Sequence, residues 1–248
     1  MLQNSFIFLN KIGKSREKDI WREGIEDWGS FISQTSVKGI SASRKESYDW
    51  ALKEAKEKLR ADDSRYFNRV FPFSEQWRLY EQFKDEAVFL DIETDGYYGS
   101  ITVIGLYDGY ETKTMVRGFN LDKKIFEKEI AKYKVIVTFN GASFDLPVLK
   151  RYFNFIRRVP HVDLRFVCQK IGLTGGLKAI ERKLGIKRQE EVAGLTGEDA
   201  VYLWNAWRES GKREILEKLV MYNEEDIINL KPLAKFAVKE LWDKTKSY

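Results

Sequence analysis

One stretch of the sequence, residues 88–96, limits what this chain can fold into more than any other. It has the apolar content of a buried strand, yet it carries Asp91 and Glu93 in its middle. Strand side chains alternate between two faces, so Phe89, Asp91 and Glu93 share one face while the intervening apolar residues line the other. The pattern therefore predicts two neighbouring carboxylates on a largely apolar strand.

Adjacent carboxylates in such a place repel each other and resist the loss of water. They are stable when protonated or when a cation lies between them, and a hard divalent ion such as Mg²⁺ or Mn²⁺ suits oxygen ligands. The alternative is an edge strand whose two carboxylates face water. The D-x-E pattern alone does not choose between these interpretations, so the choice depends on partners elsewhere in the chain.

The composition is that of a globular, mildly basic protein. Of 248 residues, 43% are hydrophobic, and Lys and Arg exceed Asp and Glu by 43 to 38. This excess is compatible with a nucleic-acid partner without establishing one. The single cysteine, Cys168, rules out an intramolecular disulfide, and its apolar helical surroundings indicate packing. The single histidine, His161, excludes histidine-rich zinc sites.

The sequence pattern changes near residue 80, which predicts two regions. Residues 1–80 are highly charged and mostly helical, and we expect them to form a small N-terminal region beside a main domain of residues 81–248. The main domain begins with period-two segments at 87–94, 100–107 and 111–117, a crossover helix at 121–132, an apolar parallel strand at 135–139, and then helices to about 242. This order predicts an α/β fold with a five-stranded mixed sheet flanked by helices.

Polar residues follow the second buried strand. Asn140 comes directly after it, and Asp145 begins the next helix. The carboxyl ends of parallel strands are where open sheets place their sites, so both should emerge near Asp91 and Glu93. Asp145 could equally be a helix-initiating residue without chemistry.

The last helix presents a phenol and a carboxylate on one face. Tyr222 and Asp226 are four residues apart, so their side chains lie one turn from each other. Glu224 and Glu225 fall on other faces, and we expect them to be solvated.

These segments together resemble a known family. Asp91-x-Glu93, Asn140-x3-Phe144-Asp145 and Tyr222-x3-Asp226 are similar, in order and spacing, to the three motifs of the DEDD exonucleases, specifically the subgroup with tyrosine in the third motif. The span 87–233 resembles an RNase H-like exonuclease domain, and Gly176-Leu177-Lys178 is similar to a helix start in single-strand exonucleases of archaea and bacteria. Residues 1–80 lie outside the resemblance.

The resemblance implies four metal ligands, Asp91, Glu93, Asp145 and Asp226, that hold two Mg²⁺ or Mn²⁺ ions. Phosphodiester cleavage needs an activated water and a stabilised leaving oxygen, and two cations about 3.5–4 Å apart serve both. The resemblance further implies that Tyr222 orients the attacking water. With an ordinary pKa of roughly 10, its phenol is a poor base, and its alternative role is packing in the core.

Four residues are candidate substrate contacts. Thr94 lies where the family seats the terminal nucleotide. Tyr97 could stack on a base or pack the hairpin, and Asn140 could bind a phosphate oxygen or cap the turn. Lys178, at the amino end of a helix, is a candidate phosphate contact.

Other charged residues have less specific interpretations. A basic set could extend a nucleic-acid track, although solvated surface is the favoured interpretation; it consists of Arg157, Arg158, Lys187 and Arg188. Asp163 is interpreted as a structural or supporting carboxylate.

We therefore expect a metal-dependent 3′–5′ exonuclease acting on single-stranded nucleic acid, with DNA favoured over RNA. The alternatives are an RNA-processing exoribonuclease of the same fold and a catalytically silent nucleic-acid-binding module. No stretch is apolar enough to span a membrane and the first residues lack a signal-peptide pattern, so we expect a cytoplasmic protein. The apolar and aromatic residues of 1–80 further suggest a homo-oligomer.

Overall fold

The computed structural model describes residues 1–96 and 99–247. Within that part of the chain the strands of one sheet are β1 (Ala87–Thr94), β2 (Ile101–Tyr107), β3 (Thr112–Val116), β4 (Val135–Thr138) and β5 (His161–Asp163). Their order in the sheet is β3-β2-β1-β4-β5. β1 pairs antiparallel with β2 and parallel with β4, while β5 extends the parallel half. The predicted five-stranded mixed sheet is confirmed.

Helices surround this sheet and form most of the rest of the described chain. They are α1 (Lys14–Arg22), α2 (Trp28–Ser33), α3 (Ala42–Arg60), α4 (Ser64–Val70), α5 (Tyr80–Phe83), α6 (Lys123–Ile130), α7 (Asp145–Phe153), α8 (Leu164–Lys170), α9 (Leu177–Leu184), α10 (Glu190–Ala193), α11 (Gly197–Ser210) and α12 (Arg213–Lys246). Short 3₁₀ helices lie at Leu2–Asn4, Phe73–Leu79 and Lys84–Glu86. None of these described helices is both long enough and apolar enough to cross a lipid bilayer.

The two faces of β1 pack against different helices, as its alternating pattern predicts. Phe89 belongs to a hydrophobic cluster with Ile227 and Leu230 of α12. Leu90, on the opposite face, belongs to a second cluster with Phe126 of α6. Because Asp91 and Glu93 point to the same side as Phe89, they face α12.

The fifth strand is the element that the sequence pattern did not locate. β5 contains only the three residues His161–Asp163, all buried, and follows an irregular segment. Three residues are too few to display a period of two, so their strand conformation depends on pairing with β4.

The N-terminal region is helical, as expected, and shares one core with the sheet. Trp21 and Trp77 pack in the same cluster as Leu233 of α12. A buried ion network holds the region together: the Arg78 guanidinium lies 2.8 Å from the Glu17 carboxylate and 3.0 Å from that of Glu75. The division of the chain at residue 80 stays a prediction.

Candidate metal centre

Three elements bring the predicted acidic residues to one place. β1 carries Asp91 and Glu93, and α12 crosses the sheet over β1 and β2 with Tyr222 and Asp226. Since β4 lies beside β1 and runs parallel to it, the loop after β4 delivers Asp145 to the same edge.

Carboxylate oxygens converge closely at this edge. One ligand oxygen from each of Asp91, Glu93 and Asp226 lies within 4.8 Å of the others. Asp145 is tied to the strand between the first two, because its Oδ1 accepts a hydrogen bond of 3.1 Å from the amide of Ile92. The arrangement could hold a cation through oxygen ligands.

Burial and mutual repulsion perturb these carboxyl groups. Burial, followed by the charges of Asp145 and Glu93, raises the pKa of Asp91 well above its usual range. Burial and the charge of Asp226 do the same to the pKa of Glu93. Burial raises the pKa of Asp145 to about 7, against the effect of its hydrogen bonds from backbone amides. In the absence of a cation the protein therefore favours protonated carboxyls here.

Asn223, which the sequence did not single out, holds the central carboxylate. Its amide donates a 2.8 Å hydrogen bond to Asp91 Oδ2, and the side chain is fully buried. Gly105 of β2 pairs with Asp91 in the sheet register, and a Cβ at Gly105 would lie 2.0 Å from Asn223 Oδ1. The glycine thus makes room for Asn223. A lone asparagine on a helix gives no sequence signal for this contact.

The prediction that Arg188 is solvated surface is wrong. Its guanidinium is 5% exposed, donates to both oxygens of Glu181 at 2.6 and 2.7 Å, and lies 2.5 Å from Asp226 Oδ1. These two carboxylates raise its pKa, although burial opposes the rise. Burial raises the pKa of Asp226 as well, and Arg188 counters that effect. Arg188 is therefore a buried counter-charge of the centre.

The rest of the basic set also differs from the expectation in part. Arg157 is half-buried and donates to Asn68 and Gln76, so it serves the packing of the N-terminal region. Arg158 and Lys187 are exposed, as expected of solvated surface.

Tyr222 is buried beside the carboxylates and contacts Lys178. The Lys178 ammonium donates a 3.2 Å hydrogen bond to Tyr222 Oη and a second one to the carbonyl of Leu195. Burial, with the charges of Asp226 and Glu93, raises the pKa of Tyr222, so its phenol stays neutral. Burial lowers the pKa of Lys178.

Two of the other predicted substrate contacts, Thr94 and Asn140, make hydrogen bonds within the chain. Thr94 is buried, and its hydroxyl donates to the carbonyl of Gly96. Asn140 has a left-handed φ of 67°, and its side-chain oxygen accepts from Arg165 at 2.6 Å. Tyr97 lies outside the described residues.

Asp163 accepts hydrogen bonds from three backbone amides, those of Asn140, Ala142 and Arg165. It thereby shapes the loop that leads to Asp145, which agrees with the interpretation of a supporting carboxylate.

The expectation that Glu224 and Glu225 are solvated is wrong. Glu225 is 8% exposed and accepts from the side chain of Gln189. Glu224 is half-buried and accepts from Thr112 and Thr114 of β3. Both anchor α12 to its neighbours, a role that helical spacing alone did not reveal.

A comparison with protein families agrees with the fold. A family model described as the RNase_H superfamily matches residues 88–238. No curated protein matches the sequence. The chain is also similar to a solved structure, that of Escherichia coli RNase D, with a TM-score of 0.48 and 18% identity. That protein is described as an exoribonuclease involved in structured RNA processing. The similarity covers 69% of this chain and 43% of that chain, so this protein spans less than half the length of that relative.

Proposed function

The chain belongs to the RNase_H superfamily, and on that premise we propose that it is a metal-dependent 3′–5′ exonuclease of the DEDD class, tyrosine subgroup. The observation that carries the proposal is the convergence of three carboxylates within 4.8 Å of one another, with Tyr222 one helical turn from Asp226. The substrate is single-stranded nucleic acid, and the reaction is phosphodiester hydrolysis.

The residues present fit a pair of hard divalent cations. All donors are carboxylate oxygens, which Mg²⁺ and Mn²⁺ prefer. Burial and the neighbouring carboxylates raise the pKa values of Asp91 and Glu93, and a bound cation would offset both effects. Asp91, Glu93, Asp145 and Asp226 would hold the ions. When bound, two such ions supply charge neutralisation at the attacking and the leaving oxygen.

The chain's own residues orient the reaction. Asn223 fixes the rotation of the Asp91 carboxylate through its hydrogen bond, and Arg188 fixes that of Asp226. Lys178 can only donate, so Tyr222 Oη accepts from it and keeps its own proton to donate elsewhere. A neutral, buried Tyr222 therefore acts as a hydrogen-bond donor that orients a water molecule and not as the base.

We propose single-stranded DNA and single-stranded RNA as the two candidate substrates. The resemblance favours DNA, and the RNA-processing alternative is a proposal of equal standing that the same site chemistry supports. Thr94, Tyr97, Asn140 and Lys178 remain proposed substrate contacts. Self-association through residues 1–80 is a further proposal, tested by measuring the molar mass with light scattering.

The decisive experiment is cleavage of 3′- and 5′-labelled single strands in Mg²⁺, Mn²⁺ or chelator. The DNA and RNA strands have the same base sequence. We expect a metal-dependent ladder that recedes from the 3′ end and is lost in Asp91→Ala. Tyr222→Phe should slow cleavage by about 10²- to 10³-fold, typical of removing one hydrogen-bond donor at a reacting oxygen, while metal binding is retained.

Asp243→Asn is the matched control, because Asp243 lies on the same helix as Asp226 and its side chain is 56% exposed. It should cleave at the wild-type rate. Tight binding of single strands without cleavage in any metal would contradict the proposal and identify a silent binding module. Cleavage that persists in Asp91→Ala would contradict the assigned centre.

A further inference from the structure

An apolar slot lies beside the edge strand β5, outside the carboxylate cluster. It encloses about 220 Å³. Its principal lining residues are Phe73, Trp77, His161, Phe166, Val167 and Lys170. Two of them, Phe73 and Trp77, come from the N-terminal region, so the slot joins that region to the sheet.

The walls and floor of the slot differ in exposure. Phe73 is 49% exposed and Phe166 is 41% exposed, whereas Trp77 and His161 are buried. The Phe73 ring lies 5.9 Å from the His161 imidazole. Nδ1 of that imidazole is buried and has no hydrogen-bond partner among the described residues. Two solvent-facing aromatic rings over an aromatic floor suit a flat aromatic guest.

Cations flank the slot. The Lys170 ammonium lies 6.0 Å from the centre of the Trp77 ring. Arg165, next to Phe166 on α8, is exposed and reaches Asn140, which begins the loop leading to Asp145. Aromatic platforms combined with positive charge are the general pattern by which proteins hold single strands: bases stack and phosphates contact the cations.

The slot and the metal centre are close enough for one strand to occupy both. β5 is separated from β1 by β4 alone, and two strand spacings are about 10 Å. Asp163, which lines the slot, also holds the amides of Asn140 and Ala142 in the loop that leads to the centre. Asn140 and Arg165 thus form a polar path from one to the other.

We propose that this slot is a nucleobase subsite, in which Phe73 and Phe166 stack on a base of the substrate strand upstream of the scissile bond. The proposal rests on the proposed function and extends it, because it assigns the N-terminal region a direct part in holding the substrate. Arg165 contacts the phosphate between the slot and the centre.

The test is a scan of single strands that carry one abasic position at successive distances from the 3′ end, with affinity measured in chelator so that nothing is cleaved. Wild-type protein should lose affinity by about 5- to 140-fold at one position, the range typical of one stacked base. The double variant Phe73→Ala/Phe166→Ala should bind the intact strand more weakly than the wild type does, by the same factor. The abasic position should not weaken binding to this variant further.

Two controls separate stacking from a structural change. Trp50→Ala removes an aromatic ring from α3 that is more exposed, at 67%, than either phenylalanine, and this variant should bind as the wild type does. Phe166→Tyr keeps a stacking ring and should bind single strands with wild-type affinity. An abasic effect that remains unchanged in the double alanine variant would overturn the proposal. The proposal would also be overturned if the slot bound a free nucleotide but the double alanine variant bound single strands with wild-type affinity.

A final arm distinguishes failure of the subsite from failure of the proposed function. Hydrolysis of a nucleoside monophosphate p-nitrophenyl ester in Mn²⁺ requires the centre. The ester itself is too short to reach the slot. The double alanine variant should hydrolyse this ester at the wild-type rate. An inactive wild type contradicts the exonuclease proposal, while the abasic scan decides the subsite on its own.

Discussion

Replacing Gly105 by alanine should disrupt the centre from outside it. The new Cβ would lie 2.0 Å from Asn223 Oδ1 and 3.1 Å from Ile227 Cδ1. To restore an ordinary contact of 3.4 Å, the Asn223 oxygen would have to retreat by about 1.4 Å. Either α12 moves away from the sheet, or Asn223 rotates and releases Asp91.

Both responses have a predictable energetic effect. Overpacking a core costs about 1–3 kcal/mol, and leaving a buried polar group without its hydrogen-bond partner costs about 1–3 kcal/mol. We therefore expect Gly105→Ala to destabilise the protein by about 1–3 kcal/mol and to weaken metal binding. Urea denaturation in chelator measures the first effect, and calorimetric titration with Mn²⁺ measures the second.

A double-mutant cycle isolates the cause. Asn223→Ala removes the colliding atoms, so Gly105→Ala should cost less in that background than in the wild type. Gly197→Ala is the control, because nothing lies within 4 Å of a Cβ at that position. If Gly105→Ala keeps wild-type stability and metal affinity, the close approach of α12 to β2 does not support Asp91 as argued.

Three further perturbations test the electrostatics. Arg188→Met leaves Glu181 and Asp226 without their buried cation and should lower the free energy of unfolding in urea by about 3–5 kcal/mol. Arg213→Met, which loses an exposed ion pair, should lower it by under about 1 kcal/mol. Equal losses of stability in the two variants would contradict the buried role of Arg188. The pKa of Asp145 rises from 3.8 to about 7 on folding, so its contribution to stability is present below pH 4 and is lost as the pH rises to 7. Mn²⁺ should therefore raise the melting temperature more at pH 8 than at pH 5.5, and an equal rise would refute this. Burial lowers the pKa of His161 from 6.5 to about 3. The difference in unfolding free energy between the wild type and His161→Gln should therefore shrink as the pH falls from 7 to 4. A difference that stays constant over this range would show that His161 is not held neutral.

The sequence by itself determined the features that depend on local periodicity. Alternation along β1 placed Asp91 and Glu93 on one face, and the four-residue interval put Tyr222 one turn from Asp226. Both follow from backbone geometry, which has the same period wherever a strand or helix lies. The extent of β1 was predictable for the same reason, whereas β5, with three residues, was not located by its pattern.

Only the tertiary structure decided which distant residues complete the centre. Asn223 reaches Asp91 across 132 positions of sequence, and Arg188 meets Asp226 because α12 packs beside the segment after α9. Neither residue differs in local pattern from a surface helix asparagine or a loop arginine. Their roles arise because burial makes an unpaired carboxylate costly, and the fold supplies Asp91 and Asp226 with specific partners. Packing, and not periodicity, identifies those partners.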